Sequence, residues 1–226
     1  DCVSVGATGN GTAANTWASF TSGGPADDGR FKPTLCAPGS GLSSAYGGSN
    51  TTYATLSGTS MATPAAAGAT ALIRQYLTEG LYPTGVKVPA NGFTPSAALM
   101  KAMAIASADP AITGHTIPNN SIGWGRILAD NALYFAGDAR KLALVDYTSG
   151  LLTGDFVEFQ LEVVDVAVPL MATLVWTDYA STPTAAINIV NNLNLTATVA
   201  ATTYRGNVFS GGQSTTGGTA DAINVE

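Results

Sequence analysis

From Met61 to Leu77 the chain is apolar or small at nearly every position, and the first charge it meets is Arg74. A helix apolar on all sides has no face to give to water, so this stretch predicts a buried helix around which the rest must be built. Its alanines (Ala62, Ala65, Ala66, Ala67, Ala69 and Ala71) allow neighbouring backbone to approach closely. Pro64 fixes where the helix starts. Proline is costly deep inside a helix and tolerable near its first turn, so the start falls at or beside Ser60. The stretch is not a membrane span, because Thr63, Pro64, Gly68 and Arg74 interrupt it and no run approaches the ~18 apolar residues needed.

A second helix is predicted with Thr94 as N-cap and Pro95 in its first turn. Leu99, Ala102, Met103 and Ala106 form its apolar stripe, and Asp109-Pro110 ends it. The character of the chain changes near residue 140. Val157, Phe159, Leu161 and Val163 alternate with Glu158, Gln160 and Glu162, and Leu193, Leu195, Ala197 and Val199 alternate with polar residues. Leu170–Asp178 and Leu142–Tyr147 read as further strands. This pattern predicts an antiparallel β-sandwich or jelly roll over 140–226, with fewer strands than the ~7 of a complete sandwich. The expected division is therefore 1–139 and 140–226. The chain opens on Asp1-Cys2-Val3-Ser4-Val5-Gly6, which reads as the middle of a strand, and both ends are expected to be cuts through a longer protein.

Charge narrows the function classes. Fifteen acidic and nine basic residues leave a net charge of −6, and only 11% of the chain is charged. No Lys/Arg cluster is present to meet phosphate, so a nucleic-acid partner is not expected. Cys2 and Cys36 are either one disulfide or two unrelated thiols. A single histidine is too few for a zinc site built from Cys and His.

Ser60 is the residue with the most chemistry. At the start of a buried helix its hydroxyl sits beside unpaired backbone N–H groups and the positive end of the helix dipole. Such donors stabilise an oxyanion that forms when a serine attacks a carbonyl. Gly58 allows a substrate backbone to approach, and Ala62 leaves the site uncrowded. On position alone an N-cap is the commoner reason for a serine at a helix start. The flanking residues reverse that balance.

Gly58-Thr59-Ser60-Met61-Ala62-Thr63-Pro64 resembles, residue for residue, the serine signature of the subtilisin-like serine proteases, the subtilases (peptidase family S8). Val3–Ala7, Phe20-Thr21-Ser22-Gly23-Gly24-Pro25, Lys32-Pro33, Ala37-Pro38-Gly39 and Gly123-Trp124-Gly125-Arg126-Ile127 are similar to that family in the same order. Leu174–Asp178 and Val190–Leu195 are similar to subtilases that carry a C-terminal β-sandwich. The resemblance implies an α/β catalytic portion, a parallel sheet with buried helices, followed by the all-β sandwich. It implies a serine endopeptidase acting on protein or peptide substrates, secreted, with Ser60 as nucleophile and its N–H as one oxyanion donor. Gly58, Thr59 and Met61 would border the substrate cleft. In this family the chain order is Asp, His, Ser, which places both partners and the second oxyanion donor upstream of Asp1. Loss of the histidine of such a triad costs about 10⁶-fold in turnover, so this chain by itself is expected to be inactive.

Other candidates weigh less. His115 follows Ser60, but Gly-Thr-Ser-Met-Ala is not the G-x-S-x-G elbow of enzymes with that order, so an esterase built on this pair is disfavoured and a surface-loop role is expected. Asp130, Asp146, Asp165 and Asp178 read as caps and turns. The resemblance allows Ca²⁺, yet Asn191-Asn192-Leu193-Asn194 offers amides where carboxylates would bind it better, and no metal or other cofactor is assigned. Trp176, on one face with Leu170, Ala172 and Leu174, is expected in a core. N-x-S/T sequons at Asn10, Asn50, Asn119 and Asn194 are compatible with secretion. The rival reading is a non-catalytic subtilase scaffold that binds or adheres through its β-sandwich.

Overall fold

The computed structural model describes residues 2–163 and 165–226; Asp1, the first residue of the expected opening strand, lies outside them. The central sheet has four strands, β1 (Val5–Thr8), β2 (Leu35–Pro38), β5 (Ala108–Asp109) and β6 (Arg126–Ile127), in the order β1-β2-β6-β5. β1 and β2 run parallel in the register Val5↔Leu35 to Thr8↔Pro38, and β2 runs parallel to β6. β5 and β6 are antiparallel, so the sheet is mixed where a purely parallel one was expected. The difference comes from the connection between the two strands: β5 follows α2 directly, and the chain returns from it to β6 through residues 110–125 without a crossover helix. The outer edge of β1 is not left open. Thr21 Oγ1 accepts from the Ala7 N–H at 3.0 Å and donates to the Ala7 carbonyl at 3.1 Å.

Helix α1 (Thr59–Thr78) lies against β1 and β2 and begins where Pro64 placed it. Ala62 and Ala66 pack with Ala7, Leu35, Ala37, Ala104 and Ile127 under the sheet. Further along, Ile73, Tyr76 and Leu77 pack with Leu99 and Met103 of helix α2 (Ala97–Ala106). The all-round burial expected for α1 is corrected. Ser60, Thr63, Pro64, Ala67, Gly68, Ala71 and Leu72 face solvent, Leu72 with 59% of its surface accessible. One sheet covers one face of a helix, and composition does not say how many neighbours it has.

The start of α2 also moves. Ser96, not Thr94, is the N-cap, with its Oγ accepting from the Leu99 N–H at 3.1 Å. Asp146 holds this cap, accepting from Ser96 N–H at 2.8 Å and Ser96 Oγ–H at 2.6 Å. Such a partner fifty residues away is invisible to a local capping rule.

Beyond 140 the described residues form one three-stranded antiparallel sheet, β7 (Thr196–Val199), β8 (Thr202–Ser210) and β9 (Gln213–Thr216). A sandwich is not shown. The expected strands at 142–147, 157–163 and 170–178 are not hydrogen-bonded into any sheet, and only the last part of 193–199 is a strand. Phe159 and Leu161 are exposed, like Glu158 and Glu162. Alternation makes a segment ready to be half-buried, but a strand needs a partner for its backbone. Leu142 and Leu144 instead pack onto the α1/α2 cluster, and Leu144 N–H donates to the Tyr82 hydroxyl at 3.1 Å. Trp176 is half-buried, not core, and donates through Nε1 to the Asn191 carbonyl at 2.9 Å.

Candidate functional site

The N-terminus of α1 is held by the carboxyl ends of β1 and β2. Gly39, just past β2, donates to the Thr8 carbonyl at 2.9 Å, and its own carbonyl accepts from Gly58 N–H at 2.8 Å. A side chain at Gly39 would meet Ala7 Cβ at 2.7 Å, the Gly58 carbonyl at 2.8 Å and Ala62 Cβ at 3.0 Å. Glycine is required there because two strand ends and a helix start converge within van der Waals reach. Between Gly39 and Gly58 the chain makes a hairpin of β3 (Leu42–Ala45) and β4 (Tyr53–Leu56), paired Leu42↔Leu56 to Ala45↔Tyr53. The Ser57 hydroxyl closes its base by accepting from Gly41 N–H at 2.9 Å.

Ser60 therefore stands in the first turn of α1, exposed, where the sheet ends and the hairpin begins. Among the described residues no side chain caps the helix; the Gly58 carbonyl takes Met61 N–H at 3.0 Å and Ala62 N–H at 3.3 Å. Among the described residues no hydrogen bond is made by Ser60 N–H or Ser60 Oγ, so both remain free to meet a ligand. Pro64 has no N–H to give the Ser60 carbonyl, which leaves that end of the helix locally open. An N-cap serine would have its hydroxyl on the N–H of a residue two or three further on, as Ser96 does, and Ser60 does not.

The other members of the expected cleft fall unequally. Thr59 and Gly58 are half-buried beside Ser60, and Met61 is half-buried with its Sδ 3.6 Å from where a Gly58 Cβ would stand. Ala62 is fully buried in the core, so its small size serves the contact with Gly39 and not an open site. Leu56 and Tyr53 of the hairpin are exposed close in sequence to Ser60, and sequence reading had not singled them out. Their only signal was a short apolar and aromatic run before the serine motif.

No titratable partner is brought to Ser60 among the described residues. His115 lies against the Trp17 ring, centroids 5.6 Å apart, and shares no hydrogen bond with Ser60. Asp146 caps α2, and Asp165 accepts from Ala167 N–H at 2.8 Å in a turn. Asp130 lies in the 3-10 turn Ala129–Ala132. Asp178 accepts from the N–H groups of Tyr179, Val190 and Asn191. Burial works against its ionised form, but those donors outweigh it and hold its carboxyl below the ordinary value. A carboxylate ringed by N–H donors does not suit Ca²⁺, and among the described residues no group of three or more His, Cys, Asp or Glu could hold a metal. Cys2 is exposed, Cys36 is buried and both are free, so the disulfide alternative is set aside. Burial pushes the Cys36 thiol up to about 12.

The subtilase family model (Peptidase_S8) matches residues 1–125 of the chain. Among curated proteins, the chain is 33% identical over 239 residues to the serine protease/ABC transporter B family protein tagD of Dictyostelium discoideum, covering 81% of this chain and 13% of that protein. It is 31% identical to the tagB protein of the same organism, over 80% of this chain and 12% of that one. The chain thus spans about an eighth of the length of these relatives. Among solved structures, the Clostridium perfringens CspB protease matches with a TM-score of 0.41 and 24% identity, covering 56% of this chain and 25% of that one. The prenylagaramide maturation protease PagA matches with a TM-score of 0.39 and 24% identity, over 57% of this chain and 40% of that one.

Proposed function

The chain belongs to the subtilase family of peptidases, and from that premise we propose that Ser60 is the nucleophile of a serine endopeptidase of which these residues form a part. In this reading Ser60 Oγ gives its proton to a histidine base and bonds to the scissile carbonyl carbon. The negative charge on the carbonyl oxygen is met by Ser60 N–H at the open end of α1. The C–N bond then breaks, the amine leaves with the proton returned by the base, and water releases the acyl group from Ser60. Gly58, Thr59 and Met61 border the cleft.

The base and the aspartate that orients it come from outside the described residues, since His115 is taken up against Trp17. The chain alone is then inactive toward peptides. Secretion goes with this reading, and exposed sequon asparagines at Asn10, Asn50 and Asn194 agree with it. The fourth, Asn119, has both ends of its amide engaged by the chain, accepting from Ser121 N–H and donating to the Thr116 carbonyl.

The observation that carries the proposal is the heptad Gly58–Pro64, seated at a helix start with Ser60 exposed and its N–H and hydroxyl without a hydrogen-bond partner among the described residues. A fluorophosphonate probe on the full-length protein tests it. Labelling that disappears in Ser60→Ala is the expected result. A full-length protein that is inert to the probe, or labels equally without Ser60, removes the assignment and favours a scaffold that has kept the fold without the chemistry.

A further inference from the structure

The stretch after residue 140 carries its own small sheet, yet both of its ends are bonded into the α/β unit. At the near end Asp146 holds the cap of α2. At the far end the segment Asp221–Glu226 is folded by one carboxylate: Asp221 accepts from Ile223 N–H at 2.8 Å, Asn224 N–H at 3.2 Å and Asn224 Nδ2 at 2.7 Å. So shaped, it inserts Asn224, Val225 and Glu226 into the molecule, each 9% exposed or less and the first buried residues after Ala132 among those described. Asn224 Oδ1 accepts from Phe31 N–H at 2.9 Å. Glu226 accepts from Lys32 Nζ at 3.0 Å through Oε1 and from Lys101 Nζ through Oε2, while Asn207 Nδ2 donates to its carbonyl at 2.8 Å.

We propose that Glu226 is an ionic keystone that docks the C-terminal segment between the entry to β2 and the middle of α2, making residues after 140 a working part of the α/β unit and not a separable module. Lys101 carries the argument. It is on the inward side of α2 between Leu99 and Met103, 7% exposed, and Glu226 is its one ion-pair partner among the described residues. An ammonium in such a place is tolerated only with a counter-charge on it. The helix that packs on α1 is thus completed by a carboxylate 125 residues further along the chain. The remaining contacts run the same way: Asn188 Nδ2 donates to Asp28 Oδ2 at 2.9 Å, and the Phe209 ring of β8 meets Trp124 edge-on at 5.5 Å between centroids.

Hydrogen exchange on the full-length protein tests the keystone without any appeal to catalysis. The Phe31 amide reports docking directly, because its hydrogen bond is to Asn224. In Glu226→Gln the exchange of Phe31, Ile223 and Asn224 amides should quicken on the order of 100-fold, the size expected when a buried pair loses one member. Unchanged protection at Phe31 overturns the proposal. If Glu226→Gln does not fold, the double variant Lys101→Met/Glu226→Gln removes the stranded ammonium as well. The keystone requires that protein to fold with Phe31 exchanging freely. Retained protection of Phe31 in it, or failure of the double variant to fold, overturns the proposal.

Discussion

At the scale of single residues, the serine site depends on atoms that are missing as much as on those present. Gly39 has no side chain because Ala7, Gly58 and Ala62 occupy the space it would need. Gly39→Ala should lower stability by about 1–3 kcal/mol through overpacking, read as a lower urea midpoint of this chain, and should displace the Ser60 turn. The cysteines give a second residue-level contrast. The Cys36 thiol is held up near 12 by burial while Cys2 is exposed. Iodoacetamide at neutral pH should therefore alkylate Cys2 and leave Cys36 intact until the chain is unfolded, since the thiolate is the reacting form. Mass mapping of the alkylated peptides checks this. Met61 touches the same turn as Ser60, and if Ser60 acts as proposed, its oxidation to the larger, polar sulfoxide should depress peptidase activity of the full-length protein; full activity with Met61 oxidised would contradict it.

At the scale of elements, α1 shows the difference between composition and surroundings. Its two leucines have opposite environments, Leu77 fully buried against α2 and Leu72 59% exposed. Leu77→Ala should cost about 2–5 kcal/mol, as for other buried leucines. Leu72→Ala should change the stability of this chain by no more than about 0.5 kcal/mol. Denaturant melts of both variants decide the matter, and equal costs would mean that the exposed face of α1 is covered in solution. The start of α2 makes a similar point. Thr94, Pro95 and Ser96 all carry helix-start chemistry, and the choice falls to Ser96 because Asp146, in the stretch that follows the α/β unit, binds it.

At the scale of the whole molecule, acid should loosen the joins between the two ends of the chain. Glu226 is buried, which alone would raise its pKa, but Lys101 and Lys32 hold its carboxyl below the ordinary value. Burial also raises Asp221, and the amides of Asn207 and Asn224 more than reverse it. Asp28 is brought down to about 2, with Arg30 and Asn188 outweighing the cost of its desolvation. A carboxyl depressed in the folded state contributes stability that is fully present above its unfolded pKa and is lost as pH falls through the folded one. Stability should hold from neutral down to about pH 4–5, the ordinary carboxylate range, and then fall, with Asp28 giving way last toward about pH 2. Thermal melts across that range check the sign. A transition temperature that rises on acidification would contradict it.

The sequence by itself determined what depends on neighbours in the chain. The run Met61–Leu77 with Pro64 set the helix and its start, the stripe Leu99–Ala106 set the second helix, and the heptad around Ser60 set the family. Each is written in residues a few positions apart, where backbone geometry leaves little choice. Tertiary structure alone decided which face of α1 meets the sheet and that β5 pairs antiparallel to β6. It also decided that the alternating runs at 157–163 and 170–178 stay unpaired and that Glu226 closes on Lys32 and Lys101. These are contacts between distant residues, and a pattern of period two or a lone carboxylate states what a segment can accept without naming its partner. The serine turn was legible because it is local; the strands and charges that hold the rest against it were not, because their partners are set by packing.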